Sequence, residues 1–411
     1  MRNPIILLSF LALWFGIINP INSQAPAEKI SQELNTAFQN SSIPGIAISI
    51  VNKDKILYQK EFGYADVAKK TPYTQHTIHN IGSTSKTFIG IALMQLVEQG
   101  KLTLDTEVND LLPFKISNPY HPTEAITIRQ LATHTSSIRD RNFNYGLRAY
   151  VSDDTAKGNR KGLPLIYKIQ FKRMQKNEVI SLNQFLENTL SKKGKWYKKK
   201  NYYKTAPGTT EHYSNIGAAL AGYLVELVTG EPYADYVVNH ILQPLGMKST
   251  AWNMDKLNPN LFAKRYVNGK VVPNYQLLTY PDGALISSIA DLNIYLMAMI
   301  KGYYGGNELL SAASYKEMMS NQYERTPLSK SIVKTEGRSG IFWDIFAKKG
   351  KGDIGHNGSD PGILTFMYFD PVSGIGCLLK TNTDSEDENI KAVLNIWEIL
   401  IKHRVQFNDK E

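Results

Sequence analysis

The feature that most constrains the fold of this 411-residue chain is a short stretch of almost uniformly apolar side chains. Residues 87–99, TFIGIALMQLVEQ, present apolar groups on nearly every side of a predicted helix, and Gly100 follows as a suitable C-terminal cap. A helix with this pattern has to be enclosed by other elements. The chain is long enough to supply the large core that such enclosure requires.

Strand patterns lie toward the two ends of the chain. Residues 43–52 and 55–66 predict a hairpin, and residues 370–374 predict a turn between two later apolar strands. The region between these ends carries mostly helical patterns, of which residues 215–230 are the clearest, and residues 387–402 predict a last helix. We therefore predict an α+β fold in which both chain ends build one antiparallel sheet flanked by helices, with a mostly helical inserted domain.

The same patterns predict the domain boundaries. Residues 24–99 and 336–411 would form the sheet domain together with the apolar helix. Residues 100–335 would form the helical domain, with a lysine-rich insertion near residues 140–205.

The N-terminus predicts export. Arg2 precedes a continuous apolar run at residues 5–18 and a turn-like segment, which is typical of a secretory signal, so we predict a signal peptide at residues 1–23. An uncleaved signal acting as an anchor is the alternative. The mature protein would be periplasmic or secreted. Cys377 is the single cysteine and lies in the apolar context GIGCLL, which predicts a buried strand residue and excludes an internal disulfide.

A lysine-rich segment accounts for part of the net charge of +10. Residues 192–204, KKGKWYKKKNYYK, interleave lysines with two pairs of aromatic residues. Such a segment could bind an anionic cell-envelope polymer, but a solvated insertion is the simpler interpretation. Export argues against nucleic acid as a partner.

The candidate nucleophile is Ser83, in GSTSKTF. A serine hydroxyl needs a neighbour that takes its proton, and Lys86, at i+3, would share its helix face. Gly82 allows a tight turn before the serine. Ser331 and Lys334 have the same spacing, but no small residue precedes them and no buried helix follows. The alternative for Ser83 is a simple helix N-cap.

Two later motifs complete a candidate site. Tyr213 and Asn215 flank one residue directly before the helix pattern, so both side chains could point into one cleft. Tyr266 and Asn268 repeat this spacing but run into Asn268-Gly269, a turn dipeptide.

The segment GHNGSDPG, residues 355–362, lies between two predicted strands and forms the third motif. Here His356 could contact a substrate from a strand edge, and Gly358 would leave room for a close backbone approach. The backbone N–H of Ser359 could donate to an oxyanion.

Taken in order, many stretches resemble one family. They are PGIAISIV, GYADVAKKTP, IGSTSKTFIG, GKLTLD, ITIRQLATHTSSI, APGTTEHYSNIG, QPLGMKSTAW, GALISSIADL and GHNGS. The chain resembles the serine β-lactamase-related hydrolases, the superfamily of class C β-lactamases, D-alanyl-D-alanine carboxypeptidases and related esterases. This resemblance covers nearly all of the mature chain and implies a β-lactamase/transpeptidase-like fold.

The resemblance also implies roles for the motif residues. Ser83 would be the acylated nucleophile, with Lys86 and Tyr213 as its catalytic partners. The N–H groups of Ser83 and Ser359 would form the oxyanion hole of a two-step acyl transfer. Either the Lys86 ammonium assists Tyr213 as base, or Lys86 loses its own proton and acts as base. The substrate-binding residues implied are Asn215, His356, Asn357, Gly358 and Ser359.

Two positions depart from the family pattern. Class C β-lactamases carry Lys-Thr-Gly where this chain has His356-Asn357-Gly358, and a histidine offers a substrate carboxylate less fixed positive charge than a lysine. The weaker charge argues against efficient β-lactam hydrolysis. A histidine at this position resembles carboxypeptidases and esterase-like members of the family instead. Ser137 stands where relatives often have glycine, which would alter a turn.

We therefore expect an exported serine acyl-hydrolase that acts on an amide or ester such as a D-amino acid peptide. A carboxylesterase for small acyl esters is one alternative, and a non-catalytic cell-wall binder or sensor is another. No pair of histidines has ligand spacing with a nearby acid, so we expect neither a metal nor another cofactor.

Overall fold

The computed structural model describes residues 25–152, 162–324, 337–348, 351–385 and 387–407. The predicted signal peptide and the second S-x-x-K at residues 331–334 lie outside this part of the chain. Among the described residues, no helix combines the length and apolar character that crossing a bilayer requires.

The described strands fall into one large sheet and three two-stranded sheets. The strands are β1 Gly45–Val51, β2 Ile56–Asp66, β3 Thr71–Pro72, β4 His79–Asn80, β5 Tyr150–Val151, β6 Tyr266–Val267, β7 Lys270–Val271, β8 Gln276–Leu277, β9 Ile286–Ser287, β10 Gly337–Ser339, β11 Asp344–Lys348, β12 Lys351–Asp360, β13 Ile363–Phe369 and β14 Gly376–Thr381.

Most of the α-helices lie between β4 and β10. The helices are α1 Ala25–Gln39, α2 Lys86–Glu98, α3 Val108–Leu111, α4 Ile128–Ala132, α5 Asn142–Arg148, α6 Leu165–Met174, α7 Leu182–Leu190, α8 Asn215–Thr229, α9 Tyr233–Val237, α10 Gln243–Leu245, α11 Ile289–Tyr303, α12 Ala312–Met318 and α13 Ile390–Arg404. Helix α1 was not predicted from the sequence.

The large sheet joins the two ends of the chain. Its strand order is β10-β11-β12-β13-β14-β1-β2-β3, and every neighbouring pair is antiparallel. The join is the pairing of β1 with β14, in which Ile46 lies opposite Thr381. The predicted antiparallel sheet with flanking helices is confirmed, whereas the domain boundaries near residues 100 and 335 stay a prediction.

Alternation along β1 gives the sheet two apolar faces. Ile46, Ile48 and Ile50 belong to one buried cluster, which also contains side chains of α1 and α13. Ala47 belongs to the larger cluster on the other face, together with α2 and α11. Helix α2 is therefore enclosed, as its composition predicted, and Gly100 follows it with a φ of +66°.

Two smaller predictions are also confirmed. Cys377 is a free, buried residue of β14, and burial raises the pKa of its thiol to about 12. Asn268 and Gly269 form the turn between β6 and β7, with φ values of +47° and +68°.

Candidate active site

Ser83 lies in a 3-10 turn, Gly82–Ser85, that leads directly into α2. Gly82 has a φ of +57°, a conformation that glycine adopts without strain. The Oγ of Ser83 is 2.9 Å from the Nζ of Lys86, so the i+3 spacing does bring the two side chains together. The hydroxyl therefore contacts the amine instead of capping the helix.

The second motif, which contains Tyr213 and Asn215, also contacts the Oγ of Ser83. The Tyr213 hydroxyl is 2.7 Å from Ser83 Oγ, and the Lys86 ammonium donates to Asn215 Oδ1 at 2.7 Å and to the carbonyl of Asp282 at 2.6 Å. Five residues from three distant segments are thus connected in one hydrogen-bonded cluster.

Asp140 holds the second motif in place, although sequence analysis did not select it. Its buried carboxylate accepts hydrogen bonds from the N–H of Asn215 at 2.6 Å, the N–H of Ile216 at 3.1 Å and the Ser214 hydroxyl at 2.7 Å. A carboxylate at this position satisfies the first amides of α8 and is favoured by the helix dipole. The Asp140 carboxylate therefore fixes the backbone that carries Tyr213 and Asn215.

The third motif approaches the nucleophile through two glycines. A Cβ at Gly82 would lie 2.8 Å from the amide nitrogen of Ser359, and one at Gly358 would lie 2.8 Å from that of Ser83. A Cβ at Gly358 would also come within 2.0 Å of the carbonyl of Ile81. The close approach of these two backbones brings the two candidate oxyanion donors to one place.

The third motif was predicted to lie between two strands, but most of it is part of a strand. Residues 355–360 belong to β12, and β12 continues past its pairing with β11, which ends at Gly355 opposite Asp344. His356 was expected to contact a substrate, but the residue is only 2% exposed, whereas Asn357 and Ser359 are exposed.

The tautomer of His356 follows from its contacts. Its Nδ1 must carry the proton because it contacts the backbone carbonyl of Asn357, which can only accept. Nε2 is left as an acceptor and has no partner among the described residues. Burial lowers the pKa of His356, although the Asp344 carboxylate opposes the shift, so the ring is neutral at neutral pH.

The protonation states of Lys86 and Tyr213 are coupled. Burial alone would lower the pKa of Lys86, but its electrostatic and hydrogen-bonding interactions with Tyr213 and Asp282 outweigh burial and raise that pKa, so Lys86 is an ammonium at neutral pH. The Tyr213 ring is 44% exposed along the cleft, but its hydroxyl end is desolvated. This desolvation raises the pKa of Tyr213, although Lys86 acts to lower it. The resting site therefore contains a cation beside a neutral phenol.

Two buried acids lie behind the nucleophile, and sequence analysis missed both. The carboxylate of Asp282 accepts from the Tyr145 hydroxyl at 2.7 Å, and burial raises the pKa of Asp282 to about 7. Asp360, at the end of β12, accepts from the hydroxyl of Tyr150 and from Nδ2 of Asn80, and burial raises its pKa to about 6. Asp282 directly precedes the GALISS stretch, and Asp360 follows GHNGS, so adjacency to a motif is the signal that could have found them.

The turn after α4 supports the Tyr213 ring. His134 lies 4.4 Å from that ring between centroids, and its Nδ1 accepts from the N–H of Ser214 at 3.3 Å. Ser137 adopts a φ of +63° and accepts from Asn118 Nδ2 at 2.8 Å. The turn therefore keeps the left-handed conformation that favours glycine.

The lysine-rich segment runs beside this turn. Its lysines are exposed, whereas Tyr202 is buried and Trp196 packs on Phe185 with centroids 5.6 Å apart. Tyr203 stacks on His212, directly before Tyr213, at a centroid distance of 3.6 Å. The aromatic residues therefore anchor the segment, and its lysines are its most exposed side chains.

Comparison with known proteins identifies relatives along most of the chain. Residues 29–400 match the profile of the Beta-lactamase family. The chain is 25% identical over 367 residues to Protein flp of Staphylococcus aureus strain MW2, covering 87% of this chain and 64% of that protein. It is also 25% identical over 356 residues to the unguisins hydrolase ungD' of Aspergillus campestris, covering 83% of this chain and 59% of that protein. The chain thus spans about two thirds or less of the length of these relatives.

Two solved structures share the fold. The octameric penicillin-binding protein homologue from Pyrococcus abyssi superimposes with a TM-score of 0.68 at 25% identity, covering 93% of this chain and 77% of that chain. A penicillin-binding protein from Bacillus halodurans gives a TM-score of 0.65 at 22% identity, covering 90% of this chain and 99% of that chain.

Proposed function

Because the chain belongs to the Beta-lactamase family, we propose that it is an exported serine acyl-hydrolase that cleaves an amide or ester through an acyl-enzyme on Ser83. The observation that carries this proposal is the contact of Ser83 Oγ with both the Lys86 amine and the Tyr213 hydroxyl, at 2.9 and 2.7 Å. A hydroxyl with two such neighbours can lose its proton while it attacks a carbonyl.

The protonation states favour a relay through Tyr213. Ser83 Oγ bonds to the substrate carbonyl carbon and gives its proton to the Tyr213 oxygen, while Tyr213 passes its own proton to the leaving amine or alcohol as the scissile bond breaks. The Lys86 ammonium stabilises the negative charge that develops between these oxygens. Water then releases the acyl group by the same relay in reverse, which regenerates both hydroxyls.

The neutral charge of His356 bears on whether the substrate carries a carboxylate. Its Nδ1 is committed to a backbone carbonyl and its Nε2 is buried, so the neutral ring offers a substrate carboxylate no fixed positive charge such as a lysine would provide. This supports an ester, or an amide without a carboxylate beside the scissile bond, over a β-lactam. A D-amino acid peptide, whose C-terminal carboxylate corresponds to that of a β-lactam, would need a positive group other than His356.

Esterase activity is the second candidate. The exposed Tyr213 ring leaves the cleft open, which suits a small acyl ester. The name of the Aspergillus relative states that it hydrolyses unguisins, which supports hydrolysis as the general reaction class. The rival is a cell-wall binder or sensor without activity, and the retained cluster of Ser83, Lys86 and Tyr213 argues against it.

Turnover of three substrates tests the proposal. We expect the mature protein to hydrolyse p-nitrophenyl butyrate or a peptide ending in D-alanyl-D-alanine with a higher kcat/KM than nitrocefin. Ser83→Ala should abolish the activity, and Ser331→Ala, which changes the other S-x-x-K serine, should retain it. Equal residual rates in wild type and Ser83→Ala would support the binder.

We also propose that the lysines of residues 192–204 attract an anionic substrate or an anionic cell-envelope polymer to the cleft. The stacking of Tyr203 on His212 supports this, because it brings the segment beside Tyr213. Replacing Lys198, Lys199 and Lys200 by glutamine should raise KM for an anionic substrate at low salt, and the difference should vanish at high salt. An unchanged KM at every ionic strength would refute this proposal.

A further inference from the structure

A cavity of about 790 Å³ lies outside the catalytic cluster. Its volume falls within the range of about 300 to 1,000 Å³ that is usual for small-molecule sites. The described residues that line it include neither Ser83 nor Lys86 nor Tyr213. The proposed hydrolase activity therefore leaves this cavity without a role.

The inner wall of the cavity carries a buried arginine. Arg265 is 9% exposed, and its guanidinium lies 4.0 Å from the centroid of the Tyr275 ring. The hydrogen bonds that it makes within the described residues are long and go to neutral oxygens. They reach the Pro273 carbonyl at 3.3 Å, Asn274 Oδ1 at 3.1 Å and Asn80 Oδ1 at 3.5 Å.

This arrangement is unusual for a buried cation. Charged side chains are rarely buried unless an opposite charge compensates for the lost hydration. Arg265 takes part in none of the ion pairs formed among the described residues. Asp360 is close enough to interact at longer range, but its carboxylate is hydrogen bonded to Tyr150 and Asn80. Part of the guanidinium's donor capacity is therefore unused at the cavity wall.

Part of the remaining wall is apolar and aromatic, polar side chains such as Asn253 and Asn260 line the rest, and the rim is mixed in charge. Trp252 and Tyr280 pack edge to face with centroids 5.4 Å apart, and Phe262 and Ile286 also line the space. Lys69 and Lys264 are exposed lining residues, and with Arg265 they outnumber the lining acids Asp66 and Asp255. The cavity thus combines an apolar and aromatic patch with a small excess of positive charge.

From this combination we propose that the cavity is a binding site for a small carboxylate with an aromatic or branched apolar body. The carboxylate would pair with the Arg265 guanidinium, which is suited to bidentate contact with two oxygens. The apolar body would lie against Trp252, Phe262 and Tyr280. The ligand supplies the compensating charge that the described residues do not place beside Arg265.

The test uses 2-naphthylacetate as the probe and 2-naphthylacetamide as its uncharged match, both titrated against the full protein by calorimetry. We expect the acid to bind at least about tenfold more tightly than the amide, because only the acid forms a charge-assisted pair. Arg265→Gln should weaken binding of the acid by about tenfold or more and leave binding of the amide unchanged.

A second set of variants covers the case in which Arg265→Gln does not fold. Lys69→Glu combined with Lys264→Glu changes only exposed rim residues and should weaken binding of the acid by about threefold or more. Lys256→Glu is the matched control, because Lys256 is an exposed lysine outside the lining, and it should leave the dissociation constant unchanged. Equal binding of acid and amide, or binding insensitive to the rim variants, would overturn the proposal.

Discussion

The Tyr213 hydroxyl lies 2.7 Å from the Oγ of Ser83, although the two residues are 130 positions apart in the chain. Two elements create this contact. A 3-10 turn presents the serine before α2, and the Asp140 carboxylate fixes the backbone before α8. The chemistry proposed for this protein depends on that contact, because the raised pKa of Lys86 favours its ammonium form and leaves the Tyr213 oxygen to take the serine proton.

Tyr213→Phe removes the proton relay and keeps the ring. We expect kcat on an ester substrate to fall by about 10² to 10⁴, because general acid–base catalysis contributes that much, while KM changes little. Steady-state kinetics checks this. Tyr203→Phe is the matched control, because Tyr203 is a neighbouring tyrosine that acts by stacking on His212, and it should retain full activity. A Tyr213→Phe enzyme within a factor of about three of wild type would exclude the relay.

Gly358→Ala tests the close approach of the two oxyanion donors. The new Cβ would meet the Ile81 carbonyl at 2.0 Å and the Ser83 nitrogen at 2.8 Å, so one backbone has to move. We expect kcat to fall by about 10² or more, the usual cost of losing an oxyanion donor. Gly146→Ala is the control, since the nearest atom to its Cβ would lie 3.5 Å away, and it should leave kcat unchanged. Equal kcat values for both variants would contradict this geometry.

Lys380→Met should stabilise the protein. Lys380 is fully buried in β14, burial lowers its pKa well below the usual range, and among the described residues its amine bonds only to the Thr77 carbonyl, at 3.4 Å. Because the unfolded state takes up a proton that the native state excludes, the amine costs stability below its unfolded pKa, and the cost grows as pH falls.

Chemical denaturation at two pH values measures this effect. We expect a gain of about 1 to 3 kcal/mol in the free energy of unfolding for Lys380→Met, larger near pH 6 than near pH 9. Lys60→Met, at an exposed position of β2, should change it by no more than about 0.5 kcal/mol. A loss of stability in Lys380→Met would show that the amine is paired in the native state.

Asp282→Asn should stabilise the protein only at higher pH. Burial raises the pKa of Asp282 from 3.8 to about 7, despite the opposing effect of Lys86. The folded pKa lies above the unfolded value, so this carboxyl supports the native state below about pH 4 and its contribution is lost as pH rises through about 7. Thermal unfolding should give Asp282→Asn a larger advantage in Tm near pH 8.5 than near pH 5. An advantage that does not grow with pH would contradict the raised pKa.

Much of the fold was predictable because it depends on local patterns. The alternation in β1 and the uniform apolarity of α2 specify their burial, and the S-x-x-K spacing alone brings Lys86 to Ser83. Helix α1 was missed, although apolar residues at Ala27, Ile30 and Leu34 follow helical spacing.

The acids around the site were not predictable from local patterns. Asp140, Asp282 and Asp360 gain their roles from partners 75, 137 and 280 positions away, namely Asn215, Tyr145 and Asn80. The burial of His356 has the same origin, because β12 runs against the turn that carries Ser83. A single sequence gives the residue types at these positions but not the desolvation that sets their protonation.

The most direct measurement is the mass of the intact protein after treatment with a fluorophosphonate, followed by mapping of the modified peptide. We predict one adduct per chain, located on Ser83, absent from Ser83→Ala and retained in Ser331→Ala. A folded wild-type protein without an adduct, or an adduct that persists in Ser83→Ala, would contradict the assignment of Ser83 as the nucleophile.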